Sequence, residues 1–438
     1  MSQQEQLSKN DGGLPKKITF LGLELKYFIP IFIIVSIASF MNVLPKGMIG
    51  AFAVMMTFGA VLDYIGNKTP IVKDFLGGGP IVVIFGSAAL VYFNVFSKDV
   101  FSVVNTFMTS GGFLDFYIAA LIVGSILGMD RKLLIKASIR YLPVLMGGIV
   151  CALLLTGLVG SLLGYGFTKS IFYIAIPIMG GGMGAGAVPL SQIFGQALKQ
   201  DSKELLSIMV PAVALGNAMA IVIGATLDKM GKKFTYLSGE GKLLKNIEHE
   251  IKEEEKVDSK IENVKELGSG MIIALFFYIL GTILAKFIPM HAYALMIISV
   301  AIAKAFNLIE KKYESYATKW YQFIAKNFTS ALLVGIGTAY TSLEQVIDAF
   351  TLTYLILVLT TVVGAVLGTA LIGHLFGFYM VEASITAGLC MANMGGTGDV
   401  AVLSSANRME LMPFAQISSR IGGAFMLILT SLLISLIV

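Results

Sequence analysis

Two glycine-rich stretches, IPIMGGGMGAGAVPLS at 176–191 and GLCMANMGGTGDVAVLSS at 388–405, decide how this chain folds. Each lies in an apolar segment long enough to enter a lipid bilayer, but consecutive glycines interrupt it near its centre. The break exposes backbone N–H and C=O groups that lipid cannot satisfy, so protein or a water-filled cavity must surround it. We therefore interpret both segments, over 171–197 and 377–405, as re-entrant hairpins.

The composition of the whole chain indicates a membrane protein. Of its 438 residues, 56% are hydrophobic and 13% are charged, and the formal net charge is +5. Soluble domains carry about twice that share of charged residues, which excludes a soluble enzyme. The apolar content excludes a disordered chain, and no basic stripe indicates a nucleic-acid partner. We predict an all-α integral membrane protein in contact with the lipid bilayer.

Apolar runs of about 20 residues predict about eleven membrane-spanning helices. The first 26 residues are polar, and we expect a cytosolic tail there without a cleavable signal peptide. The predicted spans lie near 27–44, 47–65, 80–97, 114–129, 142–163, 205–226, 269–288, 290–309, 328–343, 350–373 and 414–437.

The placement of lysine and arginine predicts the orientation, because cytosolic loops carry an excess of both. Such residues cluster between the fourth and fifth predicted spans and between the eighth and ninth. The two clusters are Arg131, Lys132, Lys136 and Arg140, and Lys311, Lys312, Lys319 and Lys326. We therefore expect a cytosolic N-terminus and, after an odd number of crossings, a C-terminus outside the cell.

The two hairpins occur in matching contexts, which predicts an internal repeat. We assign an extra first helix to 27–46, a first half to 47–227 and a second half to 269–438. An odd number of spans per half inverts the second half relative to the first, as in many secondary transporters. Between them, the charged segment 228–268 is interpreted as a solvated linker rather than a regulatory arm.

Broken helices offer two kinds of binding group. Helix N-termini attract anions through free N–H groups and the positive end of the dipole. Helix C-termini and unwound carbonyl groups suit a small hard cation. Two hairpins that meet from opposite faces therefore predict a site for an anionic substrate and a coupling cation.

Polar residues near the hairpins supply candidate ligands. Arg420, early in the last span, is costly in lipid unless it faces a cavity or a partner. Its guanidinium matches a carboxylate with two parallel hydrogen bonds, and the adjacent Ser418 and Ser419 favour this role over an arginine at the membrane interface. Asn393 is suited to bind a carboxylate or a cation, or to cap a helix.

Other polar residues are assigned less direct roles. Asn217, in the middle of a span, is interpreted as facing the substrate path rather than bonding a neighbouring helix. Asp399 is expected to cap the second arm of the second hairpin, although its carboxylate also suits a cation or a proton. Four residues are placed at the cytosolic interface or in a cytosolic turn: His374, Glu382, Arg408 and Glu410.

Enzyme chemistry finds no support in the motifs. The chain contains no GxSxG, HExxH or Walker sequence. Its two cysteines, Cys151 and Cys390, lie far apart and suit neither a disulfide framework nor a metal site. We expect no enzyme and no cofactor beyond a transported cation. A channel, a membrane-embedded transferase that uses His374 and Glu382, and a cation/proton antiporter are the alternatives.

The two hairpin sequences, extended to MANMGGTGDVAVLSSANRM at 391–409, and AQISSRIGG at 415–423 together resemble the 2-hydroxycarboxylate transporter family of bacterial citrate and malate carriers. The resemblance covers nearly the whole chain. It implies a homodimer of eleven-span protomers in the bacterial plasma membrane, with two inverted repeats and an extra first helix. It also implies a transport domain that carries both hairpins and moves like an elevator against a dimer scaffold.

The resemblance makes the glycines of GGMG at 181–184 and GGTG at 395–398, including Gly398, the hairpin tips. With the chemistry above, it assigns two sets of residues. The expected substrate-binding residues are Gly182, Gly184, Asn393, Gly396, Ser419 and Arg420. The expected cation-binding residues, for Na⁺ in particular, are Gly181, Asn217, Asn393, Gly395 and Ser418.

One departure from the family pattern bears on the substrate. Sodium-coupled citrate carriers of the family have an arginine just before the second GGxG, where this chain has Met394. The loss of that positive charge favours a dicarboxylate such as malate over citrate. We predict a secondary transporter of 2-hydroxy-di- or tricarboxylates by symport with Na⁺ or H⁺, with exchange of malate or citrate against lactate as the alternative.

Overall fold

The computed structural model describes residues 19–70, 72, 78–128, 131–245, 263–288, 291–408 and 411–437. A short antiparallel hairpin, β1 (Thr19–Phe20) and β2 (Leu23–Glu24), leads into the first helix. Helices make up most of the rest, so the all-α prediction is confirmed.

The first half of the chain ends in a broken helical pair and a long helix. The pair is α7, which contains a π-helical segment, and α8, which begins with one. The described helices are α1 (Leu25–Phe40), α2 (Met48–Lys68), α3 (Gly79–Tyr92), α4 (Lys98–Met108), α5 (Phe113–Leu127), α6 (Arg131–Leu162), α7 (Phe167–Ile178), α8 (183–198) and α9 (Ser202–Lys233).

The second half has a similar order of elements. Its last helix, α17, is interrupted by the π-helical segment Ser418–Gly422. The described helices are α10 (Val264–Leu284), α11 (Ala292–Ala305), α12 (Lys311–Ala339), α13 (Leu343–Ala349), α14 (Leu352–Leu375), α15 (Met380–Leu389), α16 (Gly396–Ser405) and α17 (412–437).

Several helices are suited to cross a membrane. Among the described residues, five are long and apolar enough: α2, the Arg140–Leu162 part of α6, α9, α10 and α14. The pair α4–α5, bent by 44° at a short break, makes a sixth if it counts as one span. The chain is therefore a multi-pass membrane protein.

Two pairs of helices have equal lengths in the two halves. Helices α2 and α10 both have 21 residues, and α3 and α11 both have 14. Each half then closes with a broken pair, α7–α8 or α15–α16, followed by a further helix, α9 or α17.

Helix α4 was not among the predicted spans. Polar residues separate short apolar groups in its sequence, and its buried side chains, such as Val100 and Val104, lie on one face. The Oγ of Ser97 accepts a hydrogen bond from the N–H of Val100 and so caps the helix N-terminus. An amphipathic helix of this kind escapes a search for continuous apolar runs.

Helix α12 corrects the span predicted at 328–343, because it already begins at Lys311. The interpretation of Lys319 as a loop residue is therefore wrong. Its Nζ lies 2.9 Å from the Oε2 of Glu266 on α10, and both side chains are buried. Lys304 and Glu314 form a second buried pair at 2.8 Å. These partners neutralise charges that, in the sequence alone, indicate a polar loop.

Helices α6 and α14 approach each other through small residues. A Cβ atom added to Gly368 would lie 2.6 Å from the Cβ of Cys151, closer than side chains pack. Near the other end of the contact, the hydroxyls of Thr156 and Thr361 lie 2.8 Å apart. Small residues and a hydroxyl pair are typical of tightly packed membrane helices.

We expect Gly368→Val to lower the Tm of the detergent-solubilised protein, because the added side chain must push α6 and α14 apart. Overpacking of this kind costs about 1–3 kcal/mol. The control is Leu367→Val, whose native side chain is 46% exposed on the outer face of α14. Equal Tm values for the two variants would contradict the close packing.

Candidate functional site

Three interrupted helices meet at one point. The breaks are 179–182 between α7 and α8, 390–395 between α15 and α16, and the π-helical segment of α17. A Cβ on Gly182 would lie 2.7 Å from the backbone O of Met394, and one on Gly181 would lie 2.9 Å from the Cα of Gly423. The two glycine tips and the α17 break are therefore in backbone contact.

Glycine is required at the first tip for a second reason. Gly181 and Gly182 have φ angles of +82° and +110°, which side chains of L-residues rarely adopt. At the second tip, Gly395 has a φ of +75°. Close approach and left-handed backbone thus coincide where the sequence predicts the tips.

Two asparagines satisfy backbone groups that the second break frees. The N–H of Gly395 donates to the Oδ1 of Asn393 at 2.6 Å, and the N–H of Met394 donates to the Oδ1 of Asn217 at 3.2 Å. Both asparagine side chains are buried. Within the described residues, the Nδ2 of Asn217 has no hydrogen-bond partner, so this donor is available to a ligand.

Asp399 joins the second hairpin to α17. Its Oδ1 accepts from the Nδ2 of Asn393 at 2.9 Å, and its Oδ2 accepts from the Oγ of Ser419 at 2.6 Å. The expectation that Asp399 caps α16 is wrong, because the helix begins at Gly396 and the carboxylate is turned towards α17. A buried carboxylate held by an amide N–H and a hydroxyl group keeps lone pairs that suit a cation.

Arg420 follows Ser419 in the same break. Its guanidinium has no hydrogen bond or ion pair with the described part of the chain and lies 5.9 Å from the ring centroid of Tyr321 on α12. The side chain is half-buried. A cation without an ion pair is costly inside a membrane protein, so Arg420 is a candidate ligand-binding residue.

Two predicted residues lie apart from this meeting point. The hydroxyl of Ser418 pairs with that of Tyr141 on α6 at 2.8 Å, which turns it away from the tips. A Cβ on Gly184 would lie 3.5 Å from Leu332 and 3.8 Å from Tyr117, so this glycine faces α12 and α5. Their assignment as direct ligands stays a prediction.

A metal site built from charged or sulfur ligands is not found in the described ranges. No three His, Cys, Asp or Glu residues there cluster closely enough to hold an ion. A cation near Asp399 would therefore take most of its ligands from neutral oxygens, as Na⁺ does at broken helices of transporters.

A second cluster was missed in the sequence. Arg408, interpreted as part of an ordinary cytosolic turn, is buried and pairs with Glu382 and Asp228. No spacing relates these three positions in the sequence, and only the tertiary fold brings them together.

A helical membrane protein in which two glycine-broken hairpins and an unpaired arginine converge belongs to the class of secondary carriers. Comparison with known proteins agrees with this class. The chain belongs to the 2-hydroxycarboxylate transporter family, whose model matches residues 20–432, and the predicted resemblance is confirmed. It is accordingly a transporter of small carboxylate substrates.

Three relatives illustrate the range of the family. The chain is 36% identical to the citrate/sodium symporter of Salmonella typhimurium, over 100% of this chain and 99% of the relative. It is 39% identical to the citrate transporter CitP of Leuconostoc mesenteroides, over 96% and 94%. It is 40% identical to the malate transporter MleP of Lactococcus lactis, over 95% and 97%.

We expect Gly182→Ala to lower malate uptake into proteoliposomes by about tenfold or more, since the new Cβ would separate the two tips and misplace the ligands. Gly377→Ala is the matched control. Gly377 also has a positive φ, +81°, but has open space around it. Equal losses in both variants would show that backbone strain alone, and not contact between the tips, governs uptake.

Proposed function

We propose that this protein is a secondary active symporter that carries 2-hydroxy-di- or tricarboxylates, with malate preferred to citrate, together with Na⁺ or H⁺. The family membership supports the substrate class, and the relatives named as citrate/sodium symporters favour Na⁺. One observation carries the assignment: the unpaired guanidinium of Arg420 lies in the same break as the serine that bonds the buried carboxylate of Asp399.

The substrate carboxylates are held by Arg420 and by donors at the tips. A bidentate arginine binds one carboxylate with two parallel hydrogen bonds. The free Nδ2 of Asn217 and the N–H groups at the start of α16, near Gly396, supply further donors. These groups come from three different elements, so a bound substrate would draw the two hairpins and α17 together.

The cation is held by oxygen atoms at the same junction, next to Asp399. Asp399, Ser419 and Asn393 already form one hydrogen-bonded chain. Carbonyl oxygens at the tips, including that of Gly181, complete the ligands. In this arrangement Ser419 links the two sites, because its neighbour Arg420 binds the substrate.

Charge balance favours symport over exchange. Asp399 and Arg420 cancel, so a bound malate dianion leaves the site with a net charge of −2. Two co-transported cations restore neutrality, and a neutral loaded site crosses the bilayer at a lower electrostatic cost. An exchanger of malate for lactate needs no co-transported cation, so its malate-loaded site would cross the bilayer with the uncompensated charge of −2.

Met394 supports the preference for malate. Its N–H is bonded to Asn217 and its carbonyl lies beside Gly182, so the residue lies in the junction between the tips. A thioether at this position offers no positive charge to a third carboxylate. Citrate therefore gains less from the site than it would with an arginine there.

The transport movement proposed for this chain is of the elevator type. In this proposal 47–227 and 269–438 are inverted repeats, and an extra helix at 27–46 precedes them. The equal lengths of α2 and α10 and of α3 and α11 support the repeat. Eleven crossings place the N-terminus in the cytosol and the C-terminus outside. Helices α6–α9 and α14–α17 carry the site and move against α1–α5 and α10–α12. Two such protomers form a homodimer in the bacterial plasma membrane.

We expect Arg420→Ala and Arg420→Lys both to abolish malate uptake into proteoliposomes, because lysine cannot form the bidentate pair. Arg140→Lys, at an exposed arginine of α6, is the control and retains uptake. Substrate-induced protection against thermal unfolding measures binding separately from transport. Normal uptake by a folded Arg420→Ala variant would rule out the assigned role.

Replacement of Asp399 by asparagine tests the cation site. Asp399→Asn is expected to raise the Na⁺ concentration for half-maximal uptake more than the KM for malate, since the amide carries no charge. Asp99→Asn, on α4, is the control. The measurement is uptake of labelled malate, citrate and lactate under Na⁺ and pH gradients imposed separately. Uptake driven by the pH gradient alone would contradict Na⁺ coupling.

A further inference from the structure

The first part of the predicted linker packs against the second hairpin. Leu244 lies opposite Phe378 in an antiparallel bridge, the N–H of Tyr379 donates to the O of Leu243, and the N–H of Lys245 donates to the O of Gly377, both at 3.0 Å. Residues 234–245, which we call the strap, thus differ from the solvated linker expected at 228–268. The strap covers the chain that enters α15.

Glu382 binds the strap from the first turn of α15. Its carboxylate is fully buried and accepts hydrogen bonds from the Oγ of Ser238 and the N–H of Gly239, both at 2.8 Å, and from the N–H of Gly241 at 3.3 Å. Hydrogen bonds from backbone N–H groups in a tight turn are typical of anion-binding loops. Here the anion is a side chain of the hairpin itself.

Arg408 completes this arrangement from the far end of the hairpin. Its Nε lies 3.2 Å from Glu382, its Nη1 lies 3.1 Å from Asp228 on α9, and its Nη2 donates to Ser238 at 3.2 Å. Lys232 pairs with Asp228 at 2.7 Å. Two acidic and two basic groups therefore balance, and the buried charges have partners, as the low dielectric demands.

The cluster lies at the base of the second hairpin, where the first arm begins and the second arm ends. Glu382 lies where α15 begins, and Arg408 lies three residues after α16 ends. Their ion pair ties the two arms together at the end opposite the glycine tip. Asp228 adds the end of α9, the helix whose Asn217 bonds the tip. The strap lies over this junction.

We propose that the strap is part of the moving hairpin unit. Glu382 and Arg408 are positioning residues that hold the strap against the base of the second hairpin. This inference rests on the proposed elevator movement. In each transport cycle the strap moves with α15, α16 and α9 and stays in contact with them. Loss of the contacts that Glu382 and Arg408 make with the strap loosens the hairpin base and, through the two arms, the tip.

A disulfide tests whether strap and hairpin stay together. The pair Leu244→Cys/Phe378→Cys occupies a bridge of the non-hydrogen-bonded type, where Cα atoms lie about 4.5 Å apart and a disulfide fits. The background is Cys151→Ala, and Cys390, which is fully buried in the second break, is kept. We expect oxidation to form the cross-link and to leave malate uptake within about twofold of the reduced protein. Loss of uptake on oxidation, or failure to cross-link, would overturn the proposal.

A matched cross-link separates this result from a failure of the proposed function. The backbone N–H of His291, just before α11, donates to the Oγ of Ser431 on α17 at 2.7 Å. His291→Cys/Ser431→Cys therefore joins the moving and fixed parts, and its oxidation should stop uptake. Uptake by this oxidised control would reject the elevator movement, and absence of malate uptake by the unsubstituted protein would reject malate transport itself.

Rescue by the same disulfide tests the positioning role. Glu382→Gln removes the charge that holds the strap, and we expect uptake to fall by about tenfold, the effect of losing a hydrogen bond to a charged group. In the Glu382→Gln protein, the oxidised Leu244→Cys/Phe378→Cys pair joins the strap to the hairpin covalently in place of the Glu382 contacts, and should restore uptake. A cross-linked protein that stays inactive would show that Glu382 acts in another way.

Discussion

Inside a membrane every backbone N–H and C=O group must find a partner, and this constraint explains the centre of the molecule. Three helices break at one point, and each break frees groups that lipid cannot satisfy. The protein meets part of this demand itself, through Asn217 and Asn393 at the second tip. The Nδ2 of Asn217, which is buried at this junction, and the guanidinium of Arg420 have no hydrogen-bond partner in the described part of the chain. A polar ligand would satisfy what the chain leaves open.

Glycine makes this convergence possible. A side chain at Gly181 or Gly182 would collide with the backbone of α17 or of the other tip. Without side chains, peptide groups of three elements come close enough to share one small ligand. The same closeness couples the sites: Ser419 bonds Asp399, and the next residue is Arg420. In the proposed site, a cation that reorders Asp399 would change the position of Arg420, which would be a physical route to coupled binding of substrate and cation.

The sequence predicts the parts of this site that depend on local pattern. Runs of glycine in apolar segments indicate the breaks, and a lone arginine in a span indicates a ligand. It does not predict relations that depend on tertiary contact. The charges of α12 indicate a loop until Glu266 is placed beside Lys319. Asp399 resembles a helix cap until α17 supplies Ser419, and Arg408 resembles a turn residue until Glu382 and Asp228 surround it.

The two polar clusters differ in a way that follows from their tasks. At the hairpin base, Arg408 is fully paired, because a static junction is most stable when no buried charge lacks a partner. At the tips, Arg420 has no hydrogen bond or ion pair within the described part of the chain and lies over the ring of Tyr321, although the carboxylate of Asp399 belongs to the same junction. If Asp399 and Arg420 were bonded to each other, a substrate would have to break that pair before binding. Ser419 and Asn393 bond Asp399 instead, which leaves Arg420 free for the substrate carboxylate that we propose it binds.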